Sequence, residues 1–328
     1  MVAQVASQSK PFRGVRKFDA MRDLGGVARL LEEAFRPDHN FPFSDSPVLR
    51  EVGIALWTVG SAPMFPETTL GFVWEEDGKI IGNVTMNPDQ GRRDRYLLCN
   101  VAVKPEYRRR GIARAMVQAS VEHLRTIGIK TAVLNVRPNN PGAHELYLSL
   151  GFSDVETRGD WFLPASLVKS RSQSKIELRP FRNADRSAAQ NLIRSVMPEI
   201  IRNYHSMRDE FNLPWDEQLA EVIADFFIGQ VSKRYVVEQN GQLVALLLVR
   251  GQRLASPHRF YAHVQPEARG TIENALVAFA LNELAPLASR ECCAWATNTH
   301  AEWVTALEQN GFQMKDVLTL MALELQER

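Results

Sequence analysis

Cysteine is scarce. Three residues in a chain of 328, two of them adjacent at Cys292 and Cys293, cannot form a disulfide framework. A reducing, cytoplasmic setting is therefore the expectation. No apolar run approaches the roughly 20 residues that span a bilayer, and the N-terminus has no apolar signal core, so no membrane partner is expected. A net charge of +1 removes any general electrostatic case for nucleic acid. Gly-x-Ser-x-Gly, Cys-x-x-Cys and His-Glu-x-x-His are all missing, and the seven histidines are scattered. Nucleophilic hydrolase chemistry and a metal centre thus lack a motif, and no metal is expected.

What is present describes a soluble globular chain: 45% hydrophobic and 23% charged residues, with length for two domains of ordinary size. Charge is divided unevenly. Residues 1–172 carry 23 basic and 19 acidic side chains (+4), and residues 173–328 carry 16 and 19 (−3). Much of the first excess sits at Arg108, Arg109, Arg110 and Arg114, which suits a local phosphate site better than a broad polyanion face.

The stretch Val101–Val117 organises the first half. Leu97, Leu98, Val101 and Val103 read as a strand stopped by Pro105. Ala113, Val117, Val121 and Leu124 then recur at helical spacing on one face. Between them lies a basic turn, Arg108-Arg109-Arg110-Gly111-Ile112-Ala113. Free backbone N–H groups and the dipole at a helix start attract anions. Gly111 lets the main chain approach a ligand, and arginines add forked donors for phosphate. Taken alone, the turn reads equally well as a solvated basic cap.

Downstream, Thr131–Val136 reads as the next strand, followed by Asn140-Pro-Gly-Ala143-His-Glu-Leu-Tyr147-Leu-Ser-Leu-Gly151-Phe152. The first segment resembles motif A of the GNAT acyl-CoA N-acyltransferase superfamily, Arg/Gln-x-x-Gly-x-Gly/Ala between strand and helix. The second is similar to that family's Asn-x-x-Ala-x-x-Leu-Tyr-x-x-x-Gly-Phe signature. The resemblance implies that Arg108–Arg114, including Ile112, hold the pyrophosphate of acetyl-CoA. It further implies that pantetheine lies along Val101, Ala102 and Val103 as an added strand, against Asn140 and Ala143. A bulge in that strand and its divergence from the next would admit the thioester. Tyr147 occupies the place of the family's general acid, although alone it reads as core packing on an amphipathic helix. For the base, Cys99 and Asn100 are unsuited. Glu75 and Glu76 are candidates on the hairpin, although Asp77-Gly78 beside them makes them read as solvated turn residues, and a water relay or an amine already neutral in part would also serve.

In chain order, residues 1–12 read as disordered, Gly14–Phe18 as a strand with Arg16 outward, and Asp19–Phe35 as a helix. The segment 36–69 holds Phe41, Phe43, Trp57, Met64 and Phe65 among five prolines, with a helical stretch near Pro47–Val59. With Phe35 and Trp161, these aromatics either wall an acceptor site or fill core. Asp77-Gly78 marks a type I′ hairpin turn. Lys169–Ser174 reads as a linker.

The pattern then restarts. Arg179 follows Arg16, and Asn240-Gly241 follows Asp77-Gly78, each by 163 residues. Pro266 follows Pro105 by 161, and Gly311-Phe312 follows Gly151-Phe152 by 160. An internal duplication is expected, with domains at 1–170 and 175–328. Each would be an α/β unit built on a mixed, mainly antiparallel sheet flanked by helices. The copies differ chemically: Ile272 replaces Gly111, Glu273 adds negative charge, and Leu307 replaces Tyr147. The second reads as a degenerate copy that braces the first or completes its pocket. The resemblance implies an acetyl-CoA-dependent N-acetyltransferase acting on a small-molecule amine, as a monomer or homodimer. A non-catalytic acyl-CoA sensor and a protein acetyltransferase are the alternatives.

Overall fold

The computed structural model describes residues 12–35, 71–89, 92–171, 176–197, 211–213, 218–219, 222–223, 225–226, 229–253 and 257–325. Phe41, Phe43, Trp57, Met64, Phe65 and the expected helical stretch near 47–59 lie outside them, as does the N-terminal stretch 1–11.

Two compact units form. The first comprises Met1–Asn135, Pro141–Ser153 and Met321–Arg328; the second comprises Val136–Asn140 and Asp154–Leu320. In the first, β1 (Arg13–Lys17), β2 (Gly71–Glu76), β3 (Lys79–Asp89), β4 (Arg92–Val103) and β5 (Thr131–Val136) are neighbours in that order. All pairs are antiparallel except β4 with β5. Helix α1 (Ala20–Phe35) buries Val27, Leu30 and Leu31 against Val73 and Ala102, worth about 1.5–3 kcal/mol per aliphatic side chain. Helix α2 (Ile112–Thr126) buries Met116, Val117, Val121 and Leu124, the face expected from spacing. Helix α3 (Pro141–Ser149) carries Tyr147.

The second unit repeats the plan with β6 (Ser153–Leu163), β7 (Leu178–Pro180), β8 (Gln230–Gln239), β9 (Gln242–Gln252), β10 (His258–Val264), β11 (Cys292–Thr297) and β12 (Gln313–Glu324). Its order is β12-β6-β11-β10-β9-β8-β7, with β10 and β11 parallel. Helices α4 (Arg186–Val196), α5 (Glu273–Leu284) and α6 (Ala301–Gln309) complete it. Both hairpin turns have the left-handed pair a type I′ turn needs: Asp77 at φ 52° and Gly78 at 79°, Asn240 at 52° and Gly241 at 76°.

The final strands are exchanged, so the compact units are not the contiguous stretches 1–170 and 175–328. The first half's last strand, β6, pairs with β11 in the second unit, and residues 321–324 of β12 flank β5 in the first. The Leu325 N–H reaches the Lys130 carbonyl at 2.7 Å, and Thr131 Oγ1 meets Glu324 Oε2 at 3.1 Å. An open edge at β5 or β11 demands a partner, and a strand from either copy satisfies it.

Arg16 does not point into solvent. Its guanidinium grips Asp23 through both terminal nitrogens, at 2.6 and 2.7 Å, and Nε donates to Glu75 at 2.6 Å. Glu75 is 4% exposed and also meets Arg22 at 2.7 Å, so it is not a solvated turn residue. The second unit has the same device: Arg179 donates to Asp185 at 2.8 and 2.9 Å and to Glu238 at 2.9 Å. A buried carboxylate requires a partner, and a forked guanidinium supplies it in both copies.

Candidate active site

The β4 strand prepares the site by leaving regular pairing twice. It matches β5 from Arg95↔Thr131 to Leu98↔Leu134 and no further, which frees one edge of Val101–Val103. Against β3, Asn83 faces Ala102 but Thr85 faces Cys99. Asn100 and Val101 thus oppose Val84 alone, and Asn100 sits at φ 54°. This is a β-bulge, a device that takes main-chain groups out of the ladder. Val101 is half-buried, whereas Ala102 and Val103 are buried. Burial pushes the Cys99 thiol up to about 12, which removes it as a nucleophile at neutral pH.

Beyond β4, Pro105–Tyr107 makes one 3₁₀ turn, and Arg108 Nε ties the next residue back to the Val103 carbonyl at 3.1 Å. Arg109 adopts φ 61°, and Gly111, at φ 78°, is the N-cap of α2. The first helical bond runs from the Ala115 N–H to the Gly111 carbonyl at 3.0 Å. The backbone N–H groups of Ile112, Ala113 and Arg114, in the first turn of α2, therefore have no intrahelical acceptor. A Cβ built on Gly111 would touch nothing within 4 Å, so the space over these amides is open. Arg110 stacks over the Tyr107 ring at 4.9 Å, and Arg114 holds Ser149 Oγ at 2.7 Å. Ile112 turns its side chain into the core and offers only its main chain, while Ala113 is half-buried. Main-chain N–H groups at a helix start, with Arg108, Arg110 and Arg114 close in sequence, suit an anion such as a phosphate.

Tyr147 is 5% exposed and packs edge-on against Phe152, ring centres 6.0 Å apart. Burial pushes its phenol up to about 12, so it stays protonated through the neutral range. Ala143 lies half-buried in the same helix, two residues into α3. Asn140 is exposed and closes a turn through its N–H to the Arg137 carbonyl at 2.9 Å. Phe35 packs on the α1 cluster. Trp161 is taken up by the core of the second unit, among Leu163 and its neighbours, and so is not on an open wall.

Two features escaped the sequence reading. Asn83 and Thr85 are buried polar residues on β3 that bond the Asn100 bulge. Their signal was a pair of polar residues at alternate places in an apolar strand. The other is how the negative charge expected at Glu273 is held in the second unit, together with its partner His300. There the Glu273 carboxylate accepts N–H bonds from Gly270 at 2.8 Å and Ile272 at 3.2 Å, and its other oxygen meets His300 Nε2 at 3.0 Å. An internal anion thus fills the second turn. Burial alone would raise the Glu273 carboxyl, but the His300 and main-chain bonds outweigh it and hold the group low. The β10 and β11 strands also part beyond Phe260↔Ala294, leaving a cavity of about 50 Å³ lined by Glu156, His263, Arg269, Trp295, Thr297 and His300. Leu307 takes the place of Tyr147 and is fully buried. Among the described residues no group of three or more His, Cys, Asp and Glu could hold a metal ion, and no helix is long and apolar enough to cross a membrane.

Comparison with known proteins adds to this geometry. The acetyltransferase (GNAT) family pattern matches residues 28–152. The ribosomal protein bS18-alanine N-acetyltransferase of Escherichia coli K12 is 30% identical over 124 residues, 38% of this chain and 73% of that one. A GCN5-related N-acetyltransferase from Sphaerobacter thermophilus superposes with a TM-score of 0.63, at 16% identity over 95% of both chains. A tandem GNAT protein from the clavulanic acid biosynthesis pathway superposes with a TM-score of 0.54, at 16% identity, covering 97% of this chain and 99% of that one.

Proposed function

This chain belongs to the GNAT acetyltransferase family, and we propose that its first half moves an acetyl group from acetyl-CoA to a primary amine of a small molecule. The observation that carries this reading is the first turn of α2, Ile112–Arg114, whose amides have no intrahelical acceptor, opening at a left-handed Gly111. Acetyl-CoA supplies the acyl group as a thioester. The turn and its arginines bind the pyrophosphate, and Asn140 and Ala143 contact the pantetheine arm. The open edge of Val101–Val103 receives that arm, and the bulge at Asn100–Val101 presents a main-chain donor to the acyl oxygen. The amine nitrogen attacks the carbonyl carbon; the C–N bond forms and the C–S bond breaks. Tyr147, protonated because it is buried, donates to the departing sulfur. Arg16 and Arg22 occupy the Glu75 carboxylate, which counts against it as the base, so the amine's proton passes to a water relay or the amine arrives already partly neutral. The second half, with its turn plugged by Glu273, braces the fold without a cofactor of its own.

A second reading replaces the small amine with the α-amine of a protein N-terminus. The 30% identical relative favours it, because its name gives an alanine of a ribosomal protein as the acceptor. A thiol-release assay with a panel of polyamines, amino sugars and N-terminal peptides separates the two. Turnover on peptides alone would reject the small-molecule reading, and saturable binding without turnover on any amine would indicate a sensor.

A further inference from the structure

The two copies supply an internal control for the bulge. In the first unit Asn83 Nδ2 donates to the Asn100 carbonyl at 3.0 Å and to Thr85 Oγ1 at 3.2 Å, and Asn100 Nδ2 reaches the same hydroxyl at 3.3 Å. Asn83 and Thr85 are 2% and 3% exposed. In the second unit the partner pairs are Leu246↔His263 and Leu248↔Tyr261, with Ala262 alone opposite Leu247. The register there is unbroken, and Leu246 and Leu248 stand where Asn83 and Thr85 do.

The fold therefore forms without the bulge and without these polar residues. Burying amide and hydroxyl groups in a strand is unfavourable unless each is bonded, and left-handed backbone at a non-glycine residue adds strain. The copy that bears both is the one with the open amide turn and the tyrosine. We propose that Asn83 and Thr85 are positioning residues: they lock Asn100 in its left-handed conformation and so aim the main chain of Asn100–Val101 at the acyl oxygen of the bound thioester. This rests on the acetyl-CoA reading above.

Thr85→Val is nearly isosteric and removes only the hydroxyl, Thr85→Ser keeps it, and Asn83→Leu installs the residue of the second copy. Two measurements apply: the infrared carbonyl band of acetyl-CoA labelled with ¹³C at the thioester carbon, bound to each protein, and amide hydrogen exchange at Asn100–Ala102 in free protein. The wild type should lower the carbonyl frequency on binding. Thr85→Val and Asn83→Leu should lose most of that shift and change exchange at the bulge, with Kd altered less than about threefold, while Thr85→Ser retains the shift. Once an amine is known, kcat should fall roughly 10- to 100-fold in Thr85→Val, below the loss typical for deleting an oxyanion donor outright. An unchanged carbonyl shift in both variants overturns the proposal and leaves the functional reading intact. Failure of wild-type protein to bind acetyl-CoA overturns both.

Discussion

Glu273 turns its carboxylate back onto the loop that precedes it, and Oε2 accepts the Gly270 N–H at 2.8 Å. His300 holds the other oxygen from the far side. A phosphate entering this turn would have to expel a buried, hydrogen-bonded anion. In the first copy no acidic side chain occupies the corresponding first helical turn, which runs Ile112-Ala113-Arg114.

Calorimetric titration should accordingly give one acetyl-CoA per chain. Glu273→Ala leaves that stoichiometry at one, because Ile272 still stands where Gly111 does. It also strips bonds from two amides and a buried imidazole, so chemical denaturation should show a loss of about 1–3 kcal/mol. Two equivalent sites in the wild type would refute the plug.

Gly111 is at φ 78° with open space where a side chain would project. Gly111→Ala should cost about 1 kcal/mol in the free protein, from the left-handed backbone alone. Gly111→Val should also weaken acetyl-CoA binding at least tenfold, about 1.4 kcal/mol, since the branched side chain fills the room over the amides. Matched unfolding and binding titrations separate the two effects.

Tyr147→Phe keeps the ring against Phe152 and should leave the fold intact. If the hydroxyl serves the departing sulfur, kcat falls by roughly 10²–10⁴ while acetyl-CoA affinity changes by less than tenfold. Collapse of affinity together with activity would make Tyr147 a binding residue. In the wild type, with the phenol at about 12, kcat should show no descending limb from this group below about pH 10.

Asp23 has an acid-range consequence. Burial raises its carboxyl, but hydrogen bonds from Arg16 and from the Asp19 N–H more than compensate and leave it below 3.8. The ionised form is favoured by folding, so its contribution is full above that value and is lost as pH falls through the folded one. Arg16→Met removes the main cause. Urea unfolding between about pH 5 and pH 3 should then start from a lower plateau and decline less steeply than in the wild type. Parallel acid slopes would rule out this pair as their source.

Helix α2 and the turn at its start were legible in the sequence because they depend on near neighbours: an apolar spacing, a proline stop and a glycine that tolerates positive φ. The hairpin turns were legible for the same reason. The duplication was visible as an offset between landmarks, and even the slip in that offset was present. Structurally it falls from 162 at Cys99 and Tyr261 to 161 at Ala102 and His263, where the bulge residue is missing from the second copy.

Tertiary structure decided what depends on residues far apart in the chain. Arg16 looked outward until Glu75, 59 positions later, came within 2.6 Å. Asn83 and Thr85 looked like ordinary strand residues until β4 arrived with one residue too many. Which final strand completes which sheet was beyond the sequence altogether, because β6 and β12 present the same alternating backbone groups to any open edge. Local patterns fix turns and helix faces through contacts a few residues long. Ion pairs, bulges and strand partners are chosen by whichever distant group satisfies a buried charge or an unpaired N–H, and only the folded chain makes that choice.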